Sequence, residues 1–113
     1  MKVKLSSFAY RSGDGHPPAD ATLVLDCRDL RNPYRIAALK PLTGLDAAVQ
    51  DYVRCDPAHK TFIDRVLREA QYGGHIAFGC MGGRHRSVAM AELLGKELRQ
   101  LGHQVTVVHT ALS

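Results

Sequence analysis

Between positions 79 and 87 the chain reads Gly79-Cys80-Met81-Gly82-Gly83-Arg84-His85-Arg86-Ser87, a run of residue types suited to holding an anion. Glycines let successive backbone N–H groups turn towards one charge, and a helix starting beside them adds the positive end of its dipole. That dipole is worth about 0.3–1 kcal/mol when exposed and up to about 2 kcal/mol when partly buried. Arg86 adds a planar fork, and hydrogen bonds to charged groups contribute roughly 1.5–3 kcal/mol each. Together these suffice for micromolar to millimolar capture of a phosphorylated small molecule or an inorganic anion. The candidate contacts are Cys80, Met81, Gly82, Gly83, Arg84, His85, Arg86 and Ser87. A plain glycine turn with solvated arginines is the competing account, but it needs neither the histidine nor both arginines.

The same residues fit C-x5-R-S, the loop of cysteine-dependent phosphatases, in which a thiolate attacks phosphorus while amides and the arginine hold the oxygens. Cys80, Arg86 and Ser87 satisfy that spacing, and Asp26 or Asp29 would have to supply the general acid. Cys80 is equally a small buried residue at a strand end, where free cysteines are common. A binder needs Cys80 as neutral thiol, because a thiolate beside a phosphate dianion repels it. Gly79, where such phosphatases often carry histidine or valine, and the late position of the loop both favour a binder over an enzyme.

Other signatures fail. Gly95-Lys96 is followed by Glu97, so there is no Walker A loop, and Gly13-Asp14-Gly15 runs into Pro17-Pro18 and forms no dinucleotide turn. The histidines lack H-E-x-x-H spacing, and Cys80 with His85 makes only half a zinc site, so neither metal nor cofactor is expected. Cys27, Cys55 and Cys80 are an odd count without a C-x-x-C pair, which points to a cytoplasmic protein without a disulfide framework.

The loop works only if flanking elements hold it. His75-Ile76-Ala77-Phe78 predicts a buried strand over 75–80, and Met90, Leu94, Leu98 and Leu101 predict a helix over 86–101 with Gly102 as its stop. Residues 2–10 read as a strand, 11–20 as turn chemistry, and Thr22-Leu23-Val24-Leu25 as a buried strand ending near Asp26. A long polar loop then runs to Leu45. Asp46 is read as the N-cap of a short helix through Val53, and Asp56-Pro57 as the start of another that Gly73-Gly74 ends. Residues 104–109 form a closing strand. This alternation predicts a small α/β domain of two or three layers, with a mixed or largely parallel sheet of about four strands flanked by helices. In such sheets ligands bind beyond the carboxyl ends of the strands, where Arg28, Lys40, Arg84 and Arg86 would converge if the strands run parallel.

With 113 residues, 45% of them apolar and 23% charged, the chain suits one globular domain spanning 1–113. No apolar run is long enough to span a bilayer, and the opening Met1-Lys2-Val3-Lys4 lacks the apolar stretch of a signal peptide. The formal charge of +4 leans towards anionic partners, with Arg28, Arg31, Arg35 and Lys40 clustered against Asp29 alone.

Residues 79–88, ending in Val88, resemble the G-C-T-G-G-[RK]-H-R-S-V motif of the RapZ family of RNase adaptor proteins. Leu25-Asp26-Cys27-Arg28, Asn32-Pro33, Lys40-Pro41-Leu42-Thr43-Gly44-Leu45-Asp46 and Ser7-Phe8-Ala9-Tyr10 match the family's C-terminal domain in order. The resemblance implies a regulatory or adaptor domain that binds glucosamine-6-phosphate, engages small RNA and forms a homo-oligomer. It places Asp26, Asn32, Gly82, Gly83, His85, Arg86 and His109 along the sugar-phosphate pocket, with Arg28 and Lys40 beside them. Met81 stands where the family has threonine and Lys40 where it has arginine, losing a hydroxyl and a planar fork. The sequence closes on Thr110-Ala111-Leu112-Ser113 without the family's basic tail, so ligand binding transfers better than RNA binding.

Overall fold

Alternating apolar residues in four places build one sheet. The computed structural model describes residues 1–11 and 15–112, so the turn read at Gly13-Asp14 and the terminal Ser113 lie outside the described residues. The strands are β1 (Lys2–Ala9), β2 (Leu23–Asp26), β3 (Gly74–Cys80) and β4 (Gln104–His109). They lie in the order β2-β3-β1-β4, and every pairing is parallel. β3 and β4 therefore share a sheet, with β1 between them.

Three helices, α1 (Ala47–Arg54), α2 (His59–Ala70) and α3 (Arg86–Gln100), connect the strands. α3 packs on β1, β3 and β4 and meets both α1 and α2, so the helices form a single layer on one face. Pleating sends Val3, Leu5, Leu25, Ile76 and Phe78 to that face, where they join Val49, Val53, Val66, Leu94 and Leu98 in one core. Of the two arrangements left open by the sequence, the chain adopts two layers. On the reverse face, residues just before β2 meet β3. There Ser6 Oγ lies 2.7 Å from His75 Nε2, His75 Nδ1 lies 3.1 Å from Asp20 Oδ1, and Thr22 Oγ1 donates to His75 O.

One helix start differs from the sequence reading for a visible reason. α2 begins at His59, three residues after Asp56, because Asp56 accepts from Ala58 N and, with its other oxygen, from Arg31 N. Its carboxylate thus staples the 27–45 connection to the turn before the helix. Asp46 does precede α1, yet it accepts from Thr43 N and not from the helix. The 27–45 connection itself is no free loop. It contains a 3-10 turn, Pro33–Arg35, with Asn32 Oδ1 accepting from Tyr34 N, and it buries Leu30 and Leu39 in the core. Glycines at positive φ close the helices, Gly73 at +74° after α2 and Gly102 at +93° after α3.

Candidate anion-binding site

β3 ends at Cys80 and α3 starts at Arg86, leaving residues 81–85 to turn between them. Gly83 makes the turn at φ +64°, and a Cβ there would sit 2.7 Å from Ala111 Cβ and 2.8 Å from Ala9 Cβ. Only glycine fits. Gly82 is the opposite case, with nothing within 4 Å of an added Cβ, so its backbone is open to an approaching group. Gly79 has a packing reason: a Cβ would run into the Phe8 ring and lie 2.7 Å from Tyr10 Cε2.

A cavity of about 370 Å³ opens above this turn. Cys80, Met81, Gly82, Arg84, His85 and Arg86 line it from the loop, and Asn32 and Tyr34 from the 27–45 connection. The two loops leaving carboxyl ends of parallel strands do converge, and backbone carbonyls hold them together. Arg84 donates to Pro41 O at 2.6 Å and to Leu42 O at 3.1 Å, and Gly44 N donates to Arg84 O. Arg86, only 8% exposed, donates through Nη1 to Arg28 O at 2.6 Å and to Leu30 O at 3.4 Å. Arg11 completes the lining, held there by Arg11 N donating to Met81 O. Sequence reasoning missed it, although a cation directly after a strand parallel to β3 must emerge at the same end of the sheet.

His85 is 6% exposed, and burial depresses its pKa, so the ring is neutral at pH 7. Its Nε2 lies 3.2 Å from Lys40 O, and since a carbonyl only accepts, Nε2 carries the proton. Cys80 Sγ lies 3.1 Å from Ser87 Oγ and accepts from Ser87 N at 3.5 Å, so the first turn of α3 holds the thiol from behind.

The remaining candidates sit elsewhere. Asp26 is gripped by Arg28, whose Nη2 donates to Oδ2 at 2.7 Å while Nε bridges both oxygens, and this holds its carboxyl below the usual range. It pairs in register with Gly79, so it points to the sheet face opposite Cys80. An ionised carboxylate on the far face is no proton donor to a leaving group at Cys80. Arg28 also stacks over Tyr10 at 4.0 Å. His109 uses both ring nitrogens, Nδ1 at 2.6 Å from Ser7 Oγ and Nε2 at 3.0 Å from Glu92 Oε2, and does not line the cavity. Gly83 and Ser87 support the turn from below. Lys40 lies past Tyr34, with Nζ 4.5 Å from the ring centroid.

Among the described residues no group of three or more His, Cys, Asp or Glu side chains is placed to hold a metal ion. No helix there is long and apolar enough to cross a membrane. A larger hollow of about 520 Å³ beside Leu23, Arg65, Arg68 and Tyr72 lies against α2, away from the glycine turn, and lacks its backbone cradle.

Comparison with known proteins gives a consistent picture. The family described as the RapZ C-terminal domain matches residues 1–113. A nucleotide-binding protein of Cereibacter sphaeroides is 41% identical over 99% of this chain and 40% of its own length. Relatives of the same description from Acidiphilium cryptum and Granulibacter bethesdensis are 44% and 45% identical, with 40% and 37% of their lengths covered. The chain thus spans about two fifths of the curated relatives it matches.

Proposed function

The chain belongs to the RapZ C-terminal domain family, and from that premise we infer that it is a non-catalytic regulatory module binding a phosphorylated small molecule. The ligand class we assign is an amino-sugar phosphate, its phosphate seated on the 81–86 turn. One observation carries the reading: Arg11, Arg84, Arg86 and the open backbone of Gly82 face a single cavity whose lining includes no carboxylate. Phosphate oxygens would take donors from the arginines and the turn, while Asn32 and neutral His85 offer hydrogen bonds to hydroxyl or amino groups of the sugar. Calorimetry with inorganic phosphate and glucosamine 6-phosphate tests this. Micromolar to millimolar affinity is expected, and a folded protein that binds no anion would overturn it.

RNA contact is a second reading, favoured by the exposure of Arg31, just before the 3-10 turn, and of Arg35 at its end. Phosphate contacts make affinity fall steeply with salt. Gel shifts with structured RNA at two salt concentrations decide it, and the absence of a salt-sensitive shift removes it.

A further inference from the structure

The sheet ends in two edge strands, β2 and β4. An edge presents N–H and C=O groups without a neighbouring strand, a template for any extended chain that reaches it. At β4 that template is blunted, because Arg99 Nη2 donates to Val105 O at 3.2 Å. Among the described residues no cation does the same at β2. That strand pairs with β3 on one side, and Val24 is left 38% exposed.

The hollow of about 520 Å³ adjoins this strand. Leu23 lines it from β2, Arg65, Arg68 and Glu69 from α2, and Tyr72 from the turn that follows the helix. Arg65 and Arg68 stand three residues apart, so they share a helix face. No ion pair among the described residues includes either arginine, and Arg68 gives only Nε, at 3.4 Å, to the Asp64 carbonyl. Glu69 is the one carboxylate in the lining, so the hollow is positive on balance. Backbone bonds to a four-residue strand are offset by the entropy of ordering the chain that makes them, and cannot hold a partner alone. Charge-assisted bonds to the two arginines supply what the short edge lacks, which fixes the partner's chemistry as acidic.

We propose that the β2 edge and the hollow beside it form a docking site for an extended acidic segment of a partner protein, added to the sheet beyond β2. Side chains alternate across such a strand, so every second residue faces the helix layer, where carboxylates meet Arg65 and Arg68. The site is separate from the glycine turn and does not depend on what the turn binds.

The test is calorimetric titration of the whole chain with three hexapeptides. The first is acetyl-Glu-Val-Glu-Val-Glu-Val-amide, the second has lysine in place of glutamate, and the third has proline in place of valine. The first should bind with micromolar to millimolar affinity, about tenfold or more tighter than either of the others. Its binding should slow amide hydrogen exchange in Leu23–Asp26 and leave Gln104–His109 unchanged. Arg65→Glu combined with Arg68→Glu should remove the preference for the acidic peptide, whereas Lys96→Glu, a charge reversal on the exposed surface of α3, should change its affinity by less than about twofold. All three positions are exposed, and circular dichroism checks that the variants fold. A proline peptide that binds as tightly as the valine one overturns strand addition, and so does protection of β4 in place of β2. Equal binding of the acidic and basic peptides, or an affinity that survives the double substitution, overturns the role of the arginines and with it the acidic partner. Absence of binding by the acidic peptide overturns the proposal outright.

Discussion

Arg86 does two jobs with one guanidinium. It faces the cavity, and it satisfies the carbonyls of Arg28 and Leu30, which tie the 27–45 connection to the glycine turn. Arg86→Ala should therefore lower phosphate affinity by roughly 2–4 kcal/mol and also reduce folding stability by about 1–3 kcal/mol, since buried acceptors lose their donor. Calorimetry and denaturant unfolding measure the two losses separately, and an affinity change under about half a kcal/mol would place Arg86 outside the ligand's reach. Cys80→Ser should leave affinity within about 1 kcal/mol, because a hydroxyl can keep the contact with Ser87. Unmodified protein should not turn over aryl phosphates, and hydrolysis lost in Cys80→Ser would restore the phosphatase reading. Residue identities in the turn were legible from the sequence because glycine, histidine and arginine carry their chemistry in their type. Facing was not. Asp26 and Cys80 lie at the ends of neighbouring strands, yet register with Gly79 sends the carboxylate to the other side of the sheet. The role of Arg11 was hidden because it depends on β1 lying beside β3, a neighbourhood no local pattern encodes.

At the scale of elements, the glycines separate packing from binding. A Cβ on Gly44 would collide with Ala89 N and come within 2.6 Å of His85 O, both backbone atoms of the start of α3. Gly44→Ala should cost stability near or above the top of the roughly 1–3 kcal/mol range for overpacking, visible as a lowered Tm. Gly82→Ala meets nothing and should leave Tm within about 2 °C, while weakening anion binding by blocking approach to the backbone. An affinity as high as that of the unmodified chain would show that the ligand does not approach there. Helix interiors and stops were readable from apolar spacing and from Gly73 and Gly102. Starts were less so, since Asp56 looks like a cap in sequence but spends its second oxygen on Arg31, a tertiary contact from a distant segment.

Across the whole molecule, buried histidines make stability depend on pH. Burial lowers the pKa of both His59 and His85, so the unfolded chain takes up protons first as pH falls. Stability should be full above about pH 6.5 and decline as pH drops through the depressed folded values. Asp26 and Asp56, also depressed, add a second loss below about pH 4 as their carboxylates are protonated. Thermal melts from pH 8 to pH 3 check both windows, and a Tm flat between pH 7 and pH 5 would contradict the first. The α/β class and the number of strands followed from the alternation of strand and helix signals, whereas the meeting of the two loops depended on the strands being parallel. The order of strands did not, because an apolar run fits any interior position equally well. That order has a kinetic side. β1 sits inside the sheet, but its neighbours are strands from much later in the chain, Val3 pairing with Gly74 on one side and Val105 on the other. During synthesis β1 emerges well before the strands it pairs with and stays unpaired until β3 has followed. Closing such long loops before any strand contact forms is what slows folding in parallel sheets, so refolding here should take milliseconds to seconds, far from the microseconds of helical bundles of this size. Stopped-flow refolding measures it. The same wait leaves the Val3–Leu5 segment without a partner on the ribosome, where a chaperone or a neighbouring nascent chain can reach it first.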